Sequence, residues 1–218
     1  MKKVYLAVVV SSAALMLPGL AAAESFNYAS VNAGISQIPD TNVKTTAGKV
    51  RNLYDRGFNV SAAVGREYEQ SSGFAVRAEV ELGRTEADVD NHRLGGVAQI
   101  GAEGDFSLLT GFVSLYGASS MNLIPDATFL FGTGAGLVQV SFEDYGTDSG
   151  GVLMDDDDVT YGFHFTTGIS YPLTDLLDLE GSFRYVSAEN VDLKAEDGTS
   201  TSQRVESLDL RAGVRLRF

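Results

Sequence analysis

From Leu208 to the C-terminal Phe218 the chain alternates strictly. Leu208, Leu210, Ala212, Val214, Leu216 and Phe218 share one parity, and Ser207, Asp209, Arg211, Gly213, Arg215 and Arg217 the other. A helix would scatter those arginines around its circumference; a strand collects them on one face. The same period recurs upstream. Phe74, Val76, Ala78, Val80 and Leu82 oppose Arg77, Glu79 and Glu81. Phe58, Val60, Ala62 and Val64 oppose Asn59, Ser61 and Gly65, and Ala29, Val31, Ala33 and Ile35 oppose Ser30 and Asn32. Tyr161, Phe163, Phe165, Ile169 and Tyr171 oppose Thr160, His164, Thr166 and Ser170. Leu179, Phe183 and Tyr185 oppose Glu180, Ser182 and Arg184. Two middle segments, 105–117 and 127–142, are apolar on both parities. There the reading places Leu109, Val113 and Leu115 outward with Thr110, Ser114 and Tyr116 inward, and Val138, Val140 and Phe142 outward with Gln139 and Ser141 inward.

These segments make eight strands. Short connections near 69–72, 118–125 and 172–175 alternate with long, polar, acidic ones near 37–55, 85–100, 144–158 and 188–203. Short turns at one end and long loops at the other are the layout of a closed antiparallel eight-stranded transmembrane β-barrel, an all-β fold. A soluble sandwich also alternates, but its polar face would meet water. Here that face carries both signs of charge at matching depths: Arg77, Glu79, Glu81, Glu180, Arg184, Asp209, Arg211 and Arg215. Eight strands enclose a space that side chains can just fill, and buried charges must pair. The expectation is a plugged lumen, with Arg184 close to Asp209 and Glu180 diagonal to Arg215. Aromatics gather at strand ends, Tyr68, Phe74, Tyr171 and Phe218 at one level and Phe142, Tyr161 and Phe163 at the other, as two interfacial girdles would require.

The N-terminus adds a compartment. Lys2 and Lys3, an apolar run from position 4 to 17 and then Ala21, Ala22 and Ala23 read as a secretory signal peptide covering 1–23, with the barrel domain occupying 24–218. The chain has no cysteine, so no disulfide holds it, and its formal net charge of −13 argues against nucleic-acid partners. Beyond the signal no run of about 18 apolar residues offers a transmembrane helix, which leaves strands as the means of crossing a bilayer.

The combined pattern resembles the opacity-protein/OmpA-like family of eight-stranded outer-membrane barrels. TFLFGTGAGLVQVSF is similar to its glycine-rich fifth strand, YGFHFTTGISYPLTD to its sixth strand and turn, and LDLRAGVRLRF to its closing strand. An opening Pro-Tyr pair common in the family reads Ala127, Thr128, Phe129 here. The resemblance implies residence in the outer membrane of a Gram-negative bacterium. It also implies an assembly signal read by the outer-membrane assembly machinery, here Leu210, Ala212, Val214, Leu216 and Phe218. Expected partners are outer-membrane lipid, that machinery, and host or envelope surface ligands met by the loops; the chain is expected to act as a monomer.

Candidate chemistry is sparse. Asp155, Asp156, Asp157 and Asp158 at the expected tip of the third long loop could collect a divalent cation through oxygen ligands, though adjacent side chains cannot all face one ion and a solvating acidic run reads better. His164 and His92 are the two histidines. Either could serve a lipid hydrolase if paired with a serine and a carboxylate, but no local His/Ser signature accompanies them, so a lumen residue and a loop residue are expected. GTGAG at 132–136 lacks a following helix and a lysine, so it is no phosphate loop. No cofactor is expected. The function expected is structural or adhesive, with transport through a narrow pathway and lipid modification as alternatives.

Overall fold

The computed structural model describes residues 24–45, 48–70, 73–94, 97–99, 102–121, 123–147, 151–194, 198 and 200–218. The expected signal segment 1–23 lies outside them. The described residues form eleven strands: β1 (Glu24–Gln37), β2 (Thr41–Thr45), β3 (Gly48–Tyr54), β4 (Gly57–Gln70), β5 (Phe74–Leu94), β6 (Val97–Gln99), β7 (Ala102–Ser120), β8 (Thr128–Thr147), β9 (Gly151–Pro172), β10 (Leu177–Lys194) and β11 (Ser200–Arg217). Eight of them pair antiparallel in a ring, β1–β4–β5–β7–β8–β9–β10–β11, which closes where Tyr28 to Gln37 of β1 run against Arg217 to Leu208 of β11. Closure gives every wall strand two neighbours, a condition hydrocarbon imposes because it offers no hydrogen bonds. β2 and β3 prolong β1 and β4 past bends at 38–40 and 55–56, β3 pairing with the upper part of β5. β6 folds back on β5.

The strands are longer than the sequence pattern suggests. Most of 85–100, 144–158 and 188–203, expected as loops, is strand continuing beyond the alternating segments. A transmembrane strand needs about 9–11 residues, and β5, β8 and β9 have 21, 20 and 22. Roughly half of each therefore stands clear of the bilayer.

β5 and β8 keep their parity across that boundary while their two faces exchange chemistry; β10 shifts by one residue at a bulge, so that its buried set passes from Val186 and Ala188 to Val191 and Leu193. On β5 the outer face is apolar to Leu82 and then carries Arg84 and Glu86, ion-paired at 2.6 Å and both exposed. On β8 the outer face runs Phe129, Phe131 and Leu137 and then Gln139, whose amide donates to Asp157 of β9. The inner face does the reverse. Val138, Val140 and Phe142 are fully buried inside the barrel, so the outward placement expected for these three, and the inward one for Gln139 and Ser141, is overturned. The cause is the level at which lipid ends, not a change of phase: above it, water lies outside and the apolar side chains must turn to the interior. Phe142 accordingly belongs to no girdle. The placements of Leu109, Val113 and Leu115 outward and of Thr110, Ser114 and Tyr116 inward agree with the structure.

Candidate functional site

Below the exchange level the lumen is polar and filled by two connected clusters of charge. Nearest the periplasmic rim, Arg77 bridges Glu67 and Glu180, the latter at 2.8 Å. Arg215 meets Glu67 and Asp178 at 2.5 Å each and Glu180 at 3.2 Å. Arg217 donates to both oxygens of Asp178, from Nε to Oδ2 at 3.0 Å and from Nη2 to Oδ1. These residues come from β4, β5, β10 and β11, so the cluster ties four staves across the interior. One step higher, Glu81 accepts from Arg184, from Arg211 at 3.2 Å and from the Ser61 hydroxyl at 3.3 Å. Glu79 accepts from the Tyr28 hydroxyl at 3.1 Å. Asp209 accepts from Ser36 at 2.7 Å and Ser207 at 2.5 Å. The guanidiniums also lie over rings, Arg215 5.2 Å from Tyr28 and Arg184 5.3 Å from Phe112. Such contacts gain strength when desolvated.

All eight lumen charges expected from alternation therefore lie inside. Glu180 meets Arg215 as anticipated. Arg184 stands opposite Asp209 in register, but its ion pair crosses the lumen to Glu81. Glu67 and Asp178 are central to the network and were not singled out. Both sit on the inward parity of their strands, two residues beyond Gly65 and two before Glu180, so the signal was present in the alternation itself. Cavities of about 20 and 30 Å³ remain on either side of the Glu81–Arg211 bridge. Each holds about one or two water molecules and nothing larger.

Above the exchange level the interior is an apolar core. Phe106 packs edge-on to Phe142 with centroids 5.1 Å apart, and Tyr54 tilts onto Phe106 at 5.3 Å. Leu108, Val140, Val191 and Leu193 complete the same cluster. The barrel is thus stopped twice, by paired charge and then by hydrocarbon side chains.

His164 lies at the junction, fully buried. Its Nε2 is 2.8 Å from Ser114 Oγ and its Nδ1 3.1 Å from Thr166 Oγ1. Phe112 meets the imidazole edge-on at 5.1 Å. Opposite it on β8, a Cβ at Gly134 would collide with both His164 Nε2 and Ser114 Oγ, so glycine alone leaves room for the pair. The serine–histidine contact of a hydrolase is present, which local sequence did not reveal because Ser114 lies on another strand. The third member is a hydroxyl where a carboxylate would orient the ring. His92 lies on β5 opposite Asn52 of β3, in a strand rather than the expected loop.

The four consecutive aspartates lie within β9, not at a loop tip. Asp158 and Asp156 accept the backbone N–H groups of Asp192 and Lys194, each at 2.8 Å. Backbone pairing of β9 with β10 ends at Gly162 and Ala188, where β10 bulges at Asn190 (φ 54°). Alternate carboxylates thus replace the missing rungs. Among the described residues no group of His, Asp and Glu is arranged to hold a metal ion. Leu210, Ala212, Val214 and Leu216 line the outer face of β11, and Phe218 stands exposed at the rim, its N–H donating to Asn27 C=O at 2.9 Å.

No protein-family model and no curated protein matches this chain. Solved structures do. Neisserial surface protein A (NspA) superposes with a TM-score of 0.52 at 19% identity, over 88% of this chain and 97% of its own. A major outer membrane protein from Thermus thermophilus gives 0.53 at 15% identity, over 89% and 99%. The outer membrane protein OprG from Pseudomonas aeruginosa gives 0.50 at 14% identity, over 90% and 98%. At these identities the likeness is one of fold, and it extends over the whole described barrel.

Proposed function

We propose that this chain, an eight-stranded β-barrel of the outer-membrane type, is a non-conducting envelope protein that carries an interaction surface on its extracellular strands. The outward apolar belt and the fold it shares with outer-membrane proteins support its residence in that membrane. The observation that carries the rest is the double stop in the lumen. An ion would have to displace paired guanidiniums and carboxylates and then pass a dry core of Phe106, Leu108, Val140 and Phe142. What remains accessible is the outer wall above the lipid, rich in charge and braced by ion pairs such as Arg84–Glu86 and Arg204–Glu189. Recording from planar bilayers tests this: the expected trace is flat, and a steady conductance of the kind open porins give would overturn it.

An enzymatic reading has one specific support, the Ser114–His164 contact. It is the second reading, because both side chains are sealed between the charged cluster and the apolar core and the ring lacks a carboxylate. His164→Ala leaving lipid A unaltered in cells, relative to wild type and deletion strains, is the expected result.

A further inference from the structure

The outer wall within the lipid-facing belt is not uniformly convex. A groove of about 610 Å³ crosses it between two cross-strand rows. The lower row runs Val76, Gly117, Phe131, Thr167 and Phe183 from β5 to β10; the upper runs Leu115, Thr133, Phe165 and Tyr185 from β7 to β10. Small side chains make the floor where the neighbouring belt is large. Both threonine hydroxyls turn back to the wall, Thr133 donating to His164 C=O at 2.7 Å and Thr167 to Leu130 C=O at 3.3 Å, so methyl groups face lipid. At Gly117 a Cβ would fall 2.5 Å from the Phe131 ring, so glycine lets that ring lie flat against the wall.

The groove has a direction. Val76 is two residues from the start of β5, whereas Phe183 is six residues into β10. Five strands leave four spacings of about 4.8 Å, a path of about 19 Å. With strands tilted by about 40° that path climbs about 12 Å, close to the depth of one leaflet of a hydrocarbon core about 30 Å thick. Its low end is at Phe74, and Phe74 also borders a polar cup of about 220 Å³ at the periplasmic mouth. Glu67, Glu69, Ser120 and Thr128 line that cup. Glu67 is shared by two arginines, which leaves Glu69 as the cup's exposed carboxylate.

We propose that the groove holds one acyl chain of a glycerophospholipid from the periplasmic leaflet, with an ammonium headgroup at the rim beside Glu69. The occupant follows from depth, length and charge: an apolar channel spanning one leaflet, ending at a carboxylate-bearing cup. This rests on the membrane-barrel reading above. The test is native mass spectrometry of the full protein released from nanodiscs containing equal phosphatidylethanolamine and phosphatidylglycerol. One retained lipid is expected, the ethanolamine form favoured severalfold. Thr133→Trp with Thr167→Trp fills the groove and should lower retention at least tenfold, while Val31→Trp on the far wall, an exposed position of β1, should not. Glu69→Gln should keep the lipid and erase the headgroup preference. Retention unchanged in the double variant, no lipid on wild type, or a preference for phosphatidylglycerol would each overturn the proposal. Heat-modifiable gel migration confirms folding in every sample, and Thr133→Phe alone replaces the double variant if that fails to fold. Absence of the gel shift in wild type would instead strike the barrel reading itself.

Discussion

Glu81→Gln is the sharpest probe of the lumen. Glu81 is 2% exposed and is the shared counter-charge of Arg184 and Arg211, both also buried. The substitution keeps the shape and removes the charge, leaving two guanidiniums in an interior whose cavities hold about one or two waters each. Removing one partner from a buried pair costs about 3–5 kcal/mol. Glu79 and Asp209 moderate this, being carboxylates in the same region with hydroxyl partners of their own, so about 3 kcal/mol is the expected loss. The internal control is Glu86→Gln, which breaks the exposed 2.6 Å pair with Arg84. Such a pair contributes under about 1 kcal/mol. The chain has no tryptophan, so unfolding in urea over lipid vesicles is followed by the folded fraction on unboiled gels. Equal midpoints for Glu81→Gln and Glu86→Gln would mean that the lumen is wet enough to screen its charges, and the dry-plug reasoning would fail.

Three further outcomes follow from the geometry. Phe142→Ala empties the apolar core against Phe106 and should cost about 3–5 kcal/mol in the same assay, and a loss below about 1 kcal/mol would show that the upper barrel is not packed. Asp156→Ala with Asp158→Ala should speed hydrogen exchange at the amides of Asp192 and Lys194 while sparing those of Leu179 to Tyr185, and unchanged exchange would remove these carboxylates from the ladder. Deleting Phe218 takes away both backbone bonds to Asn27 and should cut the heat-modifiable fraction in outer membranes several-fold, whereas normal insertion would refute an assembly role for the terminal residue.

The barrel was legible because period-two alternation is enforced wherever one face meets lipid and the other a polar interior. β11 carried that contrast over its whole closing half, and every parity read from it agrees with the structure. β8 did not. Its odd positions run Phe129, Phe131 and Leu137 and then Gln139 and Ser141, while its even ones pass from glycines to Val138, Val140 and Phe142, so the upper segment taken by itself carries the apolar-out pattern on the inward face. Parity alone could not tell an outward Val138 from an inward one. Strand extensions were read as loops for the same reason: acidic runs such as 155–158 look like solvated turns when their hydrogen bonding to a neighbouring bulge cannot be seen. The serine–histidine contact was illegible because it joins β7 to β9 over Gly134 of the strand between them, which local spacing does not encode.

The exchange of faces between Leu82 and Arg84, and between Leu137 and Gln139, also acts as a waterline. A barrel with uniform walls could ride higher or lower as bilayer thickness changes. This one cannot, because sinking by two residues draws Arg84, Glu86 and Asp157 into hydrocarbon, and rising exposes Phe163, Phe183 and Leu210 to water. A charge at the outer interface costs about 0–1 kcal/mol and at the midplane about 2–4 kcal/mol, and the penalty is multiplied around the ring. Mismatch is then met by the lipid, which must thin or thicken around the protein. Wherever it sits, the barrel imprints its own thickness on the membrane beside it.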